Sequence, residues 1–410
     1  PSFFKNRYRD HKNIIKIVSA SIIAVFFTVY TASAFSSGAK LFATLFSDSA
    51  SGDENYNQVY VIGLIVAAVV ILVYTFMGGF KAVCTTDLIQ GLMMIVAILS
   101  VPVLAYAILT FDTSFSSALA AKGVEQPAQF LNFFVNGDGT PVSAVSIISN
   151  LAWGLGYFGM PHILVRFMAV KSNEEIKKSR KIAVVWVIIS LTASCLIGLI
   201  ARGYLTAQLD DATSESVFIR TIQQLFSGNG VLIFIGGIFL CGILAAIMST
   251  ADSQLLVTAS AVSEDLYKGA VKKNASEKSS LLVGKIAVAV VAVIAFFIAL
   301  NPKSSIMGLV SDAWAGFGSA FGPVVLLALF WKRSTLSGAI SGMATGALTV
   351  IIWDYIPLVN GQTLYAATNL YSLVVGFGLA LIVNVIVSLL SKKPSKEIID
   401  EFDSIKNIEV

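Results

Sequence analysis

The sequence predicts an all-α polytopic membrane protein, and composition and segment length both indicate this fold class. Of the 410 residues, 56% are apolar and only 13% are charged, and the mean hydropathy is +0.81. An ordinary soluble domain carries about 25% charged residues. The apolar residues are also gathered into segments close to the ~20 residues that a helix needs to cross a bilayer. A soluble domain is therefore excluded.

Ten apolar segments of this length follow one another along the chain. We therefore expect a single transmembrane domain over residues 1–410. The segments cover roughly 14–35, 58–80, 88–110, 143–169, 182–203, 229–260, 283–300, 305–330, 336–355 and 367–390.

Basic residues predict the orientation. If the N-terminus and every second loop lie in the cytoplasm, most of the 28 Lys and Arg residues fall on the inner side. The opposite loops carry acidic residues such as Asp53, Glu54 and Glu215. Cytoplasmic loops of membrane proteins are enriched in Lys and Arg, so both ends of the chain are predicted to be cytoplasmic. The net charge of +4 is then a feature of topology, and neither a nucleic-acid partner nor an obligate protein partner is expected.

A row of small and hydroxylated residues lies inside the sixth segment. Ala246, Ser249, Thr250 and Ser253 are spaced i, i+3, i+4 and i+7, which places them on one face of a helix. An unpartnered hydroxyl in hydrocarbon costs about 4–8 kcal/mol on the harsher transfer scales. Either each hydroxyl bonds the carbonyl four residues earlier, or the Ser249 and Thr250 hydroxyls and carbonyls near Ala246 hold a sodium ion.

The fourth segment is predicted to be a broken helix. Gly154, Gly156, Gly159 and Pro161 fall within eight residues, a composition that a continuous helix does not favour. Irregular backbone at membrane depth is tolerated only where protein encloses it or where it lines a cavity. Such unwound spans build substrate and ion sites in secondary transporters.

Three aromatic side chains are candidates for binding a small organic solute. Trp153 and Tyr157 stand at i and i+4 beside the break and could wall a cavity, or they could belong to an interfacial aromatic belt. Tyr30 lies among small residues of the first segment. It is either part of the same site or a hydrogen-bonding partner for a neighbouring helix.

Two charged residues lie near the inner ends of segments. Asp87 begins the third segment, and it is either a helix cap or a carboxylate that stops a cation on its route to the cytoplasm. Arg166, at the end of the fourth segment, is expected to extend to the interface or to pair with a carboxylate. The only histidines, His11 and His162, suggest no metal site.

The two informative segments resemble the sodium/solute symporter family. The similar stretches are WGLGYFG.PHI..RFMA from Trp153 and GILAAIMST..SQLLV..SA..EDLYK from Gly242. Further similarity lies in FFT.Y.AS around Tyr30, in TD..Q at Asp87 and in LVS.AWAGFG.AFGPVVL around Trp314. The resemblance runs from Pro1 to about residue 358 and more loosely to the end of the chain.

The resemblance implies a fold of two inverted five-helix repeats, with alternating access driven by sodium. It also implies roles for residues at matching positions. The sodium ligands would be Ala246, Ser249 and Thr250, and the substrate site would include Tyr30, Trp153, Tyr157 and Pro161. A second sodium, or a coupling role, would involve Asp87, Asp252 and Ser253.

The resemblance also implies that the chain is a fragment, since family members have about thirteen spans and this chain has ten. Residues 1–110 would be the remainder of the first repeat and residues 143–331 the second repeat. Residues 335–391 would form two peripheral helices, and residues 392–410 a cytoplasmic tail. The absent first core helix would supply further sodium ligands.

The predicted function is sodium-coupled uptake of a small amino acid, L-proline by resemblance, across a bacterial plasma membrane. Another solute of the family, such as pantothenate, a sugar or sialic acid, is an alternative. So is a transporter-like membrane sensor, although the tail of about 20 residues leaves no room for a signalling domain. No sequence motif of an enzyme occurs in the chain, so we expect no catalytic residues.

Overall fold

The computed structural model describes residues 1–47, 53–77, 80–211, 213–272, 274–301 and 305–406. Almost all of the regular structure is helical. The first half contains α1 (Ser2–Arg7), α2 (Ile14–Phe46), α3 (Glu54–Met77), α4 (Phe80–Leu109), α5 (Phe115–Ala121), α6 (Pro127–Phe130), α7 (Ala144–Gly156), a 3-10 turn (Tyr157–Gly159), α8 (Pro161–Met168) and α9 (Asn173–Tyr204). The second half contains a 3-10 turn (Ser214–Ser216), α10 (Val217–Leu225), α11 (Gly230–Ser260) with a π-helical continuation (Ala261–Val271), α12 (Glu277–Ala299), α13 (Ile306–Phe330), α14 (Leu336–Tyr355), the hairpin of β1 (Pro357–Val359) and β2 (Gln362–Thr363), α15 (Leu364–Thr368), α16 (Ser372–Leu390) and α17 (Lys396–Lys406).

The predicted membrane segments agree with the structure. In the described ranges, nine helices are long and apolar enough to cross a bilayer: α2, α3, α4, α9, α11, α12, α13, α14 and α16. The remaining predicted segment, the fourth (143–169), is divided into α7, the 3-10 turn and α8, each too short to span alone. The predicted break in the fourth segment is therefore confirmed.

Helix α13 is the most enclosed of the spans. Every residue from 313 to 325 is buried, and the helix packs against α2, α14, α16 and the 3-10 turn of the fourth segment. Two of its glycines allow this closeness. A Cβ atom on Gly316 would lie 2.1 Å from the Phe26 ring, and one on Gly318 would lie 2.9 Å from the Cα of Gly156. Small residues let helices approach in this way in membranes, where packing drives association.

A second core joins α2, α3, α11 and α12. Tyr60 of α3 is fully buried, and its hydroxyl donates to the Ala299 carbonyl at 2.8 Å and lies 3.0 Å from Ser36 Oγ. Each polar group at membrane depth needs such a partner because no water is present to supply one. Tyr60 therefore ties α3 to both α2 and α12.

Large apolar side chains cover the outside of the helix bundle. On α4 and α9, Leu88, Val96, Ile182 and Ile188 are all exposed. Contiguous apolar patches of this kind are rare on soluble monomers. Their presence on several spans agrees with a surface that faces lipid.

The C-terminal helix α17 lies against the basic end of the bundle. Glu401 pairs with Arg9 at 2.6 Å, and Asp403 pairs with Lys332 at 3.4 Å. Arg7 Nε donates to the carbonyl of Ala328, at the end of α13, at 2.8 Å. The described part of the tail is thus a short docked helix, while residues 407–410 lie outside the described ranges.

Candidate functional site

The hydroxyl row of α11 bonds to its own backbone. Ser249 Oγ and Thr250 Oγ1 both donate to the Ala246 carbonyl, at 3.2 and 2.9 Å, and Ser253 Oγ donates to the Ser249 carbonyl at 2.9 Å. The predicted bond to the carbonyl four residues earlier is confirmed for Thr250 and Ser253, whereas Ser249 bonds the carbonyl three residues earlier. Each hydroxyl still has lone pairs that can accept a hydrogen bond or coordinate a cation, because back-bonding uses only its proton. Two hydroxyl oxygens and one carbonyl oxygen converge at Ala246.

The row is shielded from full exposure. Ser253 is buried, and Ala246, Ser249 and Thr250 are half-buried. Helix α11 packs against α2, α3, α4 and α12, so protein surrounds much of its length. The described ranges contain no group of three or more His, Cys, Asp or Glu side chains arranged to hold a metal. The oxygens that converge at Ala246 instead belong to uncharged hydroxyl and carbonyl groups.

A polar bridge joins three helices below this row. The Arg166 guanidinium of α8 forms an ion pair with Asp87 of α4, and the same nitrogen donates to Ser253 Oγ of α11 at 2.7 Å. The sequence left open whether Arg166 extends to the interface or pairs with a carboxylate, and the structure shows the pair. The bridge brings the end of the broken span to the end of the hydroxyl row.

Asp87 is not a helix cap. It lies about two turns inside α4, where the backbone amides already have helical partners. The capping interpretation is therefore wrong. One of its oxygens, Oδ1, is buried and has no hydrogen-bond partner among the described residues.

Asp252 stands next to the bridge on α11. Its side chain is fully buried, and Oδ1 lies 3.4 Å from Ser253 Oγ. Its second oxygen, Oδ2, finds no partner within the described part of the chain. Unpaired buried carboxylate oxygens are costly unless a cation, proton or water meets them. Asp87 and Asp252 thus both present an unmatched oxygen close to Ser253.

The break in the fourth segment has a simple local cause. Helix α7 ends at Gly156, the 3-10 turn follows, and Met160 is extended with φ −77° and ψ 109°. Pro161 then starts α8 at a position where its missing N–H is harmless. The glycines serve close packing, since a Cβ on Gly156 would lie 1.9 Å from Trp314 Nε1 and one on Gly159 would lie 2.3 Å from the Phe317 carbonyl.

Trp314 of α13 organises the aromatic residues beside the break. Its Nε1 donates to the Trp153 carbonyl at 2.9 Å, and its ring meets Tyr157 edge-to-face at 4.9 Å. The ring of Trp153 also stacks on Tyr371 at 5.4 Å. Such pairs contribute about 0.5–1.5 kcal/mol beyond the area they bury. These contacts hold Trp153, which is half-buried, against α13 and the start of α16, whereas Tyr157 is 42% exposed, so the interfacial-belt alternative stays open for Tyr157.

Tyr30 reaches the broken span through His162. The centroids of the two rings are 6.4 Å apart, in an edge-to-face arrangement. The ring of Phe27, three residues before Tyr30 on α2, lies 5.7 Å from the same imidazole ring. The Tyr30 hydroxyl makes no hydrogen bond within the described ranges. The alternative that Tyr30 bonds a neighbouring helix is therefore not supported.

A cavity of about 350 Å³ connects the break to α11. Pro161, His162 and Arg166 line it on one side, and Ser253 and Val257 line it on the other. A cavity of this size lies at the lower end of the range typical of small-molecule sites. The predicted backbone break thus lines a space inside the protein.

The structure brings the predicted residues into two groups. Tyr30, Trp153, Tyr157 and Pro161 surround the break, whereas Ala246, Ser249 and Thr250 lie on α11, and Arg166 connects the two through Ser253. Trp314, Tyr371 and His162 belong to the aromatic group although sequence reasoning gave them no part in it. Their signal was weak: Trp314 lies in a Gly-rich span, and nothing near Tyr371 distinguishes it from an interfacial tyrosine.

Comparison with known proteins places this arrangement in a family. The model of the sodium:solute symporter family matches residues 1–346. The chain belongs to the sodium:solute symporter family. This symporter is 42% identical to sodium/proline symporter 2 of Staphylococcus saprophyticus and 41% identical to the sodium/proline symporter of Staphylococcus aureus. Both alignments cover the whole chain and 76% of the relative.

A solved structure confirms the fold of the symporter. The chain superposes on a Na⁺-coupled sialic acid symporter, described in a substrate-bound outward-open state, with a TM-score of 0.67. The match covers 96% of this chain and 78% of the other, at 18% sequence identity. The symporter is therefore a multi-pass membrane protein with a sodium-coupled transporter fold, as the resemblance predicted.

Proposed function

We propose that this symporter carries L-proline into the cell together with sodium, by alternating access between the two sides of the membrane. The names of the two Staphylococcus relatives support the solute. The proposal is supported by one structural feature: the broken fourth span, with its aromatic side chains, lies next to the row of hydroxyl oxygens on α11. Broken helices at the midplane supply binding sites in transporters of this kind.

Sodium binds at the point where three oxygens converge: the Ala246 carbonyl, Ser249 Oγ and Thr250 Oγ1. These are hard, neutral oxygen donors, which suit an alkali cation better than a transition metal. Each hydroxyl keeps two lone pairs besides the proton that it donates to the Ala246 carbonyl, so both hydroxyls can coordinate an ion beside that carbonyl. Binding requires no net change of protein charge.

The solute binds beside the break, against Tyr30, Trp153 and Tyr157. The ring of proline is apolar, and aromatic faces suit it, while its ammonium group needs acceptors. Pro161 has no N–H to give to the preceding turn, so carbonyl groups at the break are left for the substrate. Asp87, Asp252 and Ser253 form a second cation site or a coupling site, supported by the two unmatched carboxylate oxygens.

The orientation follows the basic loops, which places both described ends of the chain at the cytoplasmic side. Helices α2 to α4 belong to the first repeat and α7 to α13 to the second. Helices α14 and α16 pack on each other and on α13, and they form the peripheral support.

Uptake of radiolabelled proline by proteoliposomes tests the proposed function. We expect accumulation with an inward sodium gradient and little accumulation when potassium replaces sodium. Unlabelled proline should compete, whereas pantothenate, glucose and sialic acid should not. Uptake independent of sodium, or competition by one of those other solutes but not by proline, would contradict the proposal.

A further inference from the structure

Glu215 joins three separate elements at one end of the bundle. It lies in the 3-10 turn between α9 and α10. Its Oε2 accepts from Lys40 Nζ of α2 at 2.6 Å. Its Oε1 accepts from Ser305 Oγ at 2.9 Å and from the Met307 amide at 3.1 Å, both at the N-terminus of α13. We call Lys40, Glu215 and Ser305 the outer latch.

The ion pair of the outer latch is partly shielded from solvent, whereas Ser305 is exposed. The Lys40 side chain is 12% exposed and that of Glu215 is 21% exposed. Both carboxylate oxygens of Glu215 are satisfied, so the pair is held by geometry as well as by charge. Loss of Lys40 would leave the partly buried Glu215 carboxylate without its ion-pair partner, which weakens the tie between α2 and α13.

The two helices that the latch ties together both carry walls of the proposed solute site. Lys40 lies ten residues after Tyr30 on α2, and Ser305 lies nine residues before Trp314 on α13. At 1.5 Å per residue, the latch lies about 14–15 Å above the aromatic residues on both helices. Its state therefore sets how far apart the two walls stand at this end.

Topology assigns this end to the outside. The basic loops, and the pair of Arg9 with Glu401, lie at the opposite end. The cavity beside the break extends toward that opposite end, where Ser260 and Asp265 line it. The structure thus combines a joined outer end with a cavity on the inner side.

We propose that Glu215 is the positioning residue of an outer gate: it holds α2 and α13 together when the solute site is closed to the outside and releases them when the site opens. This inference rests on the proposed function and deepens it. A ligand shifts an equilibrium by its differential affinity for the two states. Weakening the latch should therefore favour the outward-open state, which raises the apparent affinity for external sodium and lowers the maximal rate of uptake.

Labelling from the outside tests the gate without any transport measurement. The reporter is a cysteine introduced by Ser311→Cys, because Ser311 lies on α13 between the latch and Trp314. The three native cysteines are changed to Ser in the same protein: Cys84, Cys195 and Cys241. A membrane-impermeant maleimide is applied to the outer face. Glu215→Gln and Lys40→Met should increase the labelling rate on the order of tenfold, and the charge exchange Lys40→Glu with Glu215→Lys should return it toward the starting rate.

A matched control is Glu401→Gln, which removes a carboxylate from an ion pair at the opposite end and should leave labelling unchanged. If Glu215→Gln lowers thermal stability but leaves both labelling and apparent sodium affinity unchanged, the latch is only a structural staple and the proposal is overturned. If the single variants do not fold, the charge-exchanged protein decides: slow labelling supports the gate, and fast labelling in a folded protein overturns it. Latch-dependent labelling without sodium-driven proline uptake would reject the proposed solute and keep the gate.

Discussion

Arg166 and Asp87 form an ion pair between the broken span and α4, although they are 79 residues apart in the sequence. The same guanidinium nitrogen that meets Asp87 also donates to Ser253. Arg166 lies on the segment that lines the cavity beside the break, and its side chain contacts both α4 and α11, the helix that carries the proposed sodium ligands. This contact provides a physical route by which the ion site and the solute site can affect each other.

The bridge predicts a clear phenotype for Asp87→Asn. The substitution keeps the shape of the side chain but removes the charge that attracts a cation and pairs with Arg166. We expect the sodium concentration for half-maximal proline uptake to rise on the order of tenfold or more. Proline uptake measured against sodium concentration in proteoliposomes gives the answer.

The double variant Asp87→Asn with Arg166→Met separates coupling from simple charge balance. If Asp87 serves only to neutralise Arg166, removal of both charges should restore normal sodium dependence, and the coupling role would be wrong. Asp138→Asn, in an exposed loop, is the matched control and should behave as the starting protein.

Two glycines in α7 predict opposite results for the same substitution. Gly156→Ala would place a Cβ 1.9 Å from the Trp314 ring, whereas nothing lies within 4 Å of a Cβ on Gly154. We expect Gly156→Ala to destabilise the protein by about 1–3 kcal/mol through overpacking and to weaken proline binding. Gly154→Ala should be neutral or slightly stabilising. Thermal unfolding in detergent and uptake at varied proline concentration measure both, and equal behaviour of the two variants would refute the assigned packing.

Trp314 and Trp353 offer a matched pair for the solute site. Each indole donates to a backbone carbonyl, Trp314 to Trp153 at 2.9 Å and Trp353 to Leu370 at 3.0 Å. Replacement by Phe should cost about 1 kcal/mol of stability in either case because one hydrogen bond is lost. Only Trp314→Phe should raise the KM for proline. A similar KM shift in Trp353→Phe would mean that the effect comes from stability and not from the site.

Glu215 predicts how the outer latch responds to pH. Burial alone would raise the pKa of the Glu215 carboxyl, but the hydrogen bonds from Lys40 and from the Met307 and Ile306 amides outweigh it and hold the pKa below its ordinary value. A group whose pKa is lowered by folding contributes stability that is fully present above its unfolded pKa and is lost as the pH falls through the folded pKa. The Glu215→Gln effect on labelling should therefore be constant from pH 5.5 to 8, and only below about pH 4.5 should the unchanged protein approach the variant. A change of labelling between pH 6 and 8 that disappears in Glu215→Gln would contradict this.

Local features of the molecule were predictable from the sequence. The break at Gly156 to Pro161 follows from backbone chemistry, and the hydroxyl row follows from helical spacing, because both depend on residues within two turns of one another. The spans themselves follow from hydropathy. These are the features that neighbours in the chain determine.

Long-range pairings were not predictable in the same way. The sequence left open whether Asp87 is a cap or a cation stop, because its partner, Arg166, comes from a helix that only tertiary packing brings near. Glu215 and Lys40, separated by 175 residues, both appeared to be ordinary loop and helix-end charges. Trp314 joins the proposed site because Gly156 and Gly318 allow α7 and α13 to touch, and Tyr371 reaches Trp153 from the start of α16.

The sodium dependence of proline uptake by Ser249→Ala and Thr250→Ala shows whether the hydroxyl row of α11 binds sodium. Thr258→Ala is the control, since Thr258 also lies on α11 and bonds back to its own helix, to the Gln254 carbonyl at 2.7 Å, but lies away from Ala246. We predict that each site variant raises the sodium concentration for half-maximal proline uptake by about tenfold or more, and that Thr258→Ala does not. Unchanged sodium dependence in both site variants, or an equal change in Thr258→Ala, would contradict the assignment of sodium to this row.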